Sequence, residues 1–265
     1  MNAESGIDGA EDGLDETKAP LLDHLIELRR RLIWCAIALG VTFAGAMYFA
    51  RPIFGFLVQP LLRAGQGRLI YTNIFEAFFT EIKVAFFTAI MISFPILAVQ
   101  IWQFVAPGLY AREKKAFLPF LLVTPVLFAL GAALAYYVAM PLALHFLLGY
   151  EGNLGGVTQE ALPGVGNYLD FVMRFLFGFG VSFLLPVLLM LMERAGLVTR
   201  DQLKRGRRYA ILIAFIVAAV LTPPDVLSQF LLAIPLILLY ELSLIAIWFT
   251  ERRRGRAAAA AEKSA

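Results

Sequence analysis

Six long apolar runs constrain this chain more than any other feature. They fall at about residues 32–50, 84–105, 117–140, 171–192, 209–221 and 229–249. Helix is the only reasonable reading of them, because inside a bilayer every backbone N–H and C=O must be satisfied within its own segment. A span needs about 20 apolar residues, and five of the runs approach or exceed that. The fifth has only 13 residues, Tyr209 to Leu221, and Thr222-Pro223-Pro224-Asp225 stops it by removing backbone donors. It reads as a short span that requires a locally thinned bilayer or shielding by its neighbours.

Composition excludes the alternatives to a membrane protein. Sixty per cent of the 265 residues are hydrophobic, 16 per cent are charged and mean hydropathy is +0.75; soluble domains carry about 25 per cent charge. The single cysteine, Cys35, forbids an internal disulfide and any cysteine-rich metal site. The expected fold class is an all-α polytopic membrane protein of six transmembrane helices, with short fifth and sixth spans and both termini cytoplasmic. The membrane domain covers 20–250 and opens with an amphipathic stretch, 20–31. Residues 1–19 read as a disordered acidic tail without the basic start of a signal peptide, and 251–265 as a basic, alanine-rich cytoplasmic tail. Orientation follows from lysine and arginine. Eighteen of the 23 lie before the first run, in the second and fourth loops or in the tail, which places those regions in the cytoplasm. The opposite loops, 51–82 and the glycine-rich 149–168, are expected to cap the outer face, with an amphipathic stretch from Ile70 to Phe79. Prolines 95, 119, 125, 141, 186 and 235 lie within or near the spans and are expected to bend them.

No catalytic or metal motif is present: there is no His-Glu-x-x-His, Gly-x-Ser-x-Gly, phosphate loop or Cys-His cluster, so the chain is not expected to be an enzyme and no cofactor is implied. Leu21, Leu25, Leu28 and Leu32 share one helical face, with Arg29 at its packed edge. Glu27 faces away from it, either paired with Arg31 four residues on, worth about 0.3–0.5 kcal/mol, or exposed to receive a cation. Phe104 stands in the last turn of the second span, which Pro107-Gly108 ends. Glu113 is the lone acid of a basic loop, positioned to favour a helix dipole or to meet an arginine with two hydrogen bonds. Asp225 caps the sixth helix or forms a polar patch with Thr222 and Gln229. Glu241 is read as lying well inside the sixth span, a site by default, whereas Arg174 can snorkel.

The runs His24-Leu-Ile-Glu27-Leu-Arg29-Arg-Arg, Phe104-Val-Ala-Pro107-Gly-Leu-Tyr110-Ala-Arg-Glu113 and Leu221-Thr-Pro-Pro-Asp225-Val-Leu-Ser-Gln229 together resemble the TatC family, the multispanning subunit of the twin-arginine protein translocase. The similarity covers about residues 20–250. It implies a receptor that binds the twin-arginine signal peptides of folded cargo and assembles with single-span TatA- and TatB-type proteins. Export is then driven by the proton-motive force across the bacterial inner membrane. Carried over by motif, Glu27 and Glu113 hold the arginines, Phe104 lines the site and Arg29 supports it. Thr222, Asp225, Gln229 and Glu241 form the partner-helix contact, and Pro60 and Lys83 are outer-side positions of structural importance. A homo-oligomer within a larger complex is implied, and no nucleic acid. There is one departure: Ser182-Phe-Leu184-Leu-Pro186 carries leucine where the family usually has a glutamate that recruits a partner. The alternative from another class is a small secondary transporter with an intramembrane path through Glu241 and Arg174.

Overall fold

The computed structural model describes residues 8–109, 114–222 and 225–262. The chain forms α1 (Asp8–Tyr48), α2 (Ala50–Arg63), α3 (Glu76–Leu109), α4 (Lys114–Leu134), a π-helical turn (Ala135–Ala139), α5 (Met140–Leu148), α6 (Val165–Ser182), α7 (Leu185–Arg194), α8 (Arg200–Arg205), α9 (Arg207–Leu221) and α10 (Val226–Glu262). One small antiparallel hairpin, β1 (Gly152–Leu154) with β2 (Val157–Gln159), interrupts the helices within the second capping loop. Among the described residues, five helical stretches are long and apolar enough to cross a membrane: Leu25–Tyr48, Glu76–Phe104, Phe120–Leu148, Val165–Arg194 and Val226–Arg252. The remaining apolar run is α9, at 15 residues about 22 Å long, against a hydrocarbon core of about 30 Å.

The sixth span is not short: the apolar stretch of α10 runs Val226–Arg252, 27 residues, and the helix continues beyond it to Glu262, where alanine-rich sequence favours helix. In the same way α1 begins at Asp8, so it takes in much of the stretch read as a disordered tail. At the end of the second span, α3 runs past Pro107 to Leu109.

The prolines act as expected at two of the breaks. Pro141 has no N–H to give, and the turn before it widens so that the Met140 N–H reaches Ala135 O. Such a π-turn re-satisfies backbone in a helix that must remain hydrogen-bonded. Pro186 sits in the first turn of α7, after Phe183 and Leu184 interrupt the fourth span.

The core centres on α6. Val165, Tyr168, Leu169, Val172, Phe175, Leu176 and Phe179 are buried in one cluster with residues of α2, α3, α5, α9 and α10. Helices α4 and α6 approach closely because Gly131 and Gly180 present no side chain: a Cβ on Gly131 would stand 2.5 Å from Phe179 O. Small residues at helix contacts are the usual route to tight packing in lipid.

The two loops read as a cap contact one another, and their helix lies earlier in sequence. The amphipathic element is α2, residues 50–63, rather than 70–79. Pro60 and Leu61 are fully buried in it. Tyr136 and Tyr168 donate their hydroxyls to Phe56 O (2.7 Å) and Leu57 O (3.0 Å), pinning α2 onto the spans. Ile70 forms a parallel bridge with Gly164. Glu76 accepts from Gly166 N at 2.8 Å and from Thr72 N at 2.6 Å, which ties the two capping loops together.

Candidate signal-peptide and partner sites

Helix α1 packs mainly along α3, and the face it presents is the one carrying Glu27. Arg31 donates its Nε to Glu27 Oε1 at 3.1 Å, with a second contact from Nη2, and reaches across to Gln103 on α3 through Nη1 at 2.7 Å. Glu27, Arg30, Arg31, Trp34, Gln100 and Gln103 line a cleft of about 300 Å³ between the two helices. The leucines lie on the other side: Leu25 is 58 per cent exposed and Leu32 66 per cent. The expectation that the leucine stripe and Arg29 form the packed edge is therefore corrected. In a bilayer the apolar face turns to lipid and the polar face turns to the neighbouring helix. Arg29 is exposed and borders a second, apolar groove with Ile26, Ile33 and Ile37.

Phe104 ends the apolar part of α3, one residue beyond Gln103. Glu113 lies outside the described residues, so Glu27, Arg29 and Phe104 are the members of the expected arginine site whose positions are seen. Arg31, Gln100, Gln103 and Trp34 are further lining residues that the sequence reading did not assign. The i, i+4 spacing from Glu27 marked Arg31, but nothing in sequence pointed to the two glutamines.

At the C-terminal end of α9, Thr222 is buried and its hydroxyl donates to Ala218 O at 2.8 Å. Asp225 Oδ1 accepts from Ser228 N at 2.7 Å, the expected cap of α10. Asp225 Oδ2 and Ser228 Oγ are buried and have no hydrogen-bond partner among the described residues. Gln229 follows one turn later, its N–H on Asp225 O. Thr222 closes α9 while Asp225 and Gln229 open α10, and among the described residues no hydrogen bond joins Thr222 to the other two.

Glu241 does not join them. It is paired with Arg207, Nη2 to Oε2 at 2.8 Å, and both side chains are substantially exposed. Glu241 lies within the Val226–Arg252 stretch, and its carboxylate is paired because the antiparallel α9–α10 hairpin brings the basic start of α9 opposite it. Nor does Glu241 meet Arg174, which is exposed on α6. Lys83 donates to both oxygens of Asp170, at 3.0 and 3.1 Å, joining α3 to α6. Leu184 occupies the break between α6 and α7 and is half-buried. No group of three or more His, Cys, Asp or Glu able to hold a metal ion occurs among the described residues.

The family model for the Sec-independent protein translocase protein TatC matches residues 23–235. The chain belongs to the TatC family. The TatC protein of Magnetococcus marinus is 47 per cent identical over 249 residues, covering 93 per cent of this chain and 90 per cent of that one. The Escherichia coli K12 TatC is 40 per cent identical over 229 residues, covering 86 and 87 per cent. Crystal structures of the twin-arginine translocase receptor TatC superpose with TM-scores of 0.72 and 0.75, at 41 and 40 per cent identity; each covers 84 per cent of this chain, and the chain covers 96 and 98 per cent of them. The helical membrane fold and the place of this TatC-family chain in twin-arginine protein translocation rest on these matches together with its apolar helices.

Proposed function

We propose that this chain is the signal-peptide receptor of a twin-arginine translocase. Glu27 and Glu113 receive the paired arginines at the cytoplasmic face, and Phe104 lines the same site. The observation that carries this reading is the Glu27 cleft. Its carboxylate already accepts a guanidinium from Arg31, with Gln103 as a second acceptor, so the pocket has the shape and polarity that arginine requires. Arginine presents a planar fork of donors, and lysine a point charge; bidentate recognition therefore separates the two where net charge does not. Arg29, exposed beside the cleft, supports the peptide's path.

Partner binding is assigned to the junction between the C-terminal end of α9 and the start of α10. Thr222, Asp225 and Gln229 offer polar atoms near membrane depth, including an orphaned carboxylate oxygen, to the polar end of a TatA- or TatB-type helix. Glu241, engaged with Arg207, sits outside that patch. Pro60 and Lys83 hold the cap and the α3–α6 contact. With Leu184 in place of the family's usual acid, docking leans on the Thr222–Gln229 patch. Both termini face the cytoplasm of a bacterial inner membrane, several copies assemble in a larger complex, and the proton-motive force drives export.

The test is binding of a labelled twin-arginine signal peptide to the full chain in nanodiscs, alongside a dilysine peptide and the Glu27→Gln and Glu113→Gln variants. The expected result is binding that all three changes weaken. Binding indifferent to lysine and to both substitutions would remove the receptor reading.

A further inference from the structure

The junction of α8 and α9 carries a constellation that signal-peptide binding does not use. Helix α8 is held rigidly: Thr199 and Gln202 form a reciprocal capping box, Leu203 is buried, and Tyr240 donates its hydroxyl to Leu203 O at 2.6 Å. Four cations follow within five residues, Lys204, Arg205, Arg207 and Arg208. Two are matched by acids, Lys204 with Asp201 at 3.4 Å and Arg207 with Glu241 at 2.8 Å. Arg205 and Arg208 are exposed and face no carboxylate among the described residues. Arg208 is instead stacked on Tyr209, 4.8 Å from guanidinium to ring centre, and donates to the Tyr209 hydroxyl at 3.0 Å.

Gly206 (φ −75°, ψ −5°) separates α8 from α9, and Arg205 and Arg208 stand on either side of it. At 100° per residue along α9, Leu212 lies about 40° and Ile216 about 80° from Arg208. Leu212 and Ile216 are both more than half exposed, on a helix of lipid-contacting composition. The α8–α9 junction therefore bears two guanidiniums that face no carboxylate among the described residues and, beyond them on α9, an exposed apolar strip.

We propose that this junction binds an anionic phospholipid, with Arg205 and Arg208 on the phosphate and an acyl chain along Leu212 and Ile216. Charge selects the ligand: two neighbouring cations repel one another, and a phosphate between them accepts hydrogen bonds from both. The apolar strip sets a phospholipid apart from a free phosphate ion, which would gain nothing from it. The 22 Å length of α9 adds a geometric reason, since a span shorter than the bilayer draws the surrounding headgroups toward its ends. Basic pockets at the edge of transmembrane helices are where anionic headgroups are held.

The experiment is native mass spectrometry of the full chain released from mixed micelles of phosphatidylglycerol and phosphatidylcholine with identical acyl chains. Wild type is expected to retain phosphatidylglycerol preferentially. Each cation near an anionic headgroup contributes about fivefold in affinity, so Arg205→Gln/Arg208→Gln should lower the preference by roughly 30-fold. The Arg205→Lys/Arg208→Lys variant should keep most of it, which separates lost charge from lost folding. Arg174→Gln, an exposed arginine on α6, should leave it unchanged. Millimolar inorganic phosphate should not displace the lipid. The proposal is overturned if wild type shows no preference, if the glutamine variant retains it, if Arg174→Gln abolishes it equally, or if phosphate alone displaces the lipid.

Discussion

The closeness of α4 and α6 at Gly131 makes a prediction whose sign the structure decides. Gly131→Ala places a methyl 2.5 Å from Phe179 O and 2.8–2.9 Å from atoms of Phe183, and one of those neighbours is backbone that cannot rotate away. Overpacking of this kind costs about 1–3 kcal/mol. Alanine in place of glycine inside a helix returns at most about 1 kcal/mol. The net expected change is a destabilisation of about 1–2 kcal/mol, or roughly 2–8 °C in Tm for a chain of this size. Gly40→Ala supplies the comparison, because a Cβ there meets nothing within 4 Å; the propensity gain stands alone and Tm should rise by no more than about 2–4 °C. The assay is thermal unfolding of both variants in one detergent, followed by intrinsic fluorescence. A rise in Tm for Gly131→Ala matching that of Gly40→Ala would show that the helices are not in contact there, and the packing argument would fail.

Glu27→Gln removes the charge and keeps the shape. Because Glu27 is partly exposed, a charge-assisted bond is discounted to about 1–2 kcal/mol, so peptide titration should show affinity falling roughly 5–30-fold. Lys83 and Asp170, also partly exposed, should show a coupling of about 0.5–1 kcal/mol in a double-mutant unfolding cycle; a value indistinguishable from zero would reduce the pair to proximity. Tyr240→Phe leaves Leu203 O without its 2.6 Å donor, at a cost of about 1–2 kcal/mol, and hydrogen exchange across residues 200–206 should quicken about tenfold. Unchanged exchange there would mean that α8 is held by apolar packing alone.

The spans were legible because apolar run length is a one-dimensional signal that the bilayer enforces. The shortness of α9 was equally plain, fixed by Thr222-Pro-Pro-Asp225. The orientation of α1 was not, since a leucine stripe marks the packed face of a soluble helix and the lipid face of a membrane helix, and periodicity alone does not separate them. The Glu27–Arg31 pair was visible as a spacing; its bridge to Gln103, 72 residues away, was not. The position of Glu241 could have been found by arithmetic. Folding α9 back on α10 about the midpoint between Leu221 and Val226 sets residue 207 opposite residue 240 or 241, and the observed Arg207–Glu241 pair follows.

That same hairpin explains why polar function gathers there. Asp225 and Glu241 are sixteen residues apart, about 24 Å along the helix, whereas the hydrocarbon core is about 30 Å thick. The other spanning stretches have 24–30 residues and reach water at both ends without strain on the bilayer. Around α9 and the facing part of α10, either the lipid thins or polar groups are drawn toward hydrocarbon. Both outcomes raise the worth of a partner that supplies hydrogen bonds. Among the described residues, buried Asp225 Oδ2 and Ser228 Oγ lack one at one end, and exposed Arg205 and Arg208 face no carboxylate at the other. A polar helix terminus suits the first and a phosphate the second, so the shortest span is where this chain has most to gain from its surroundings.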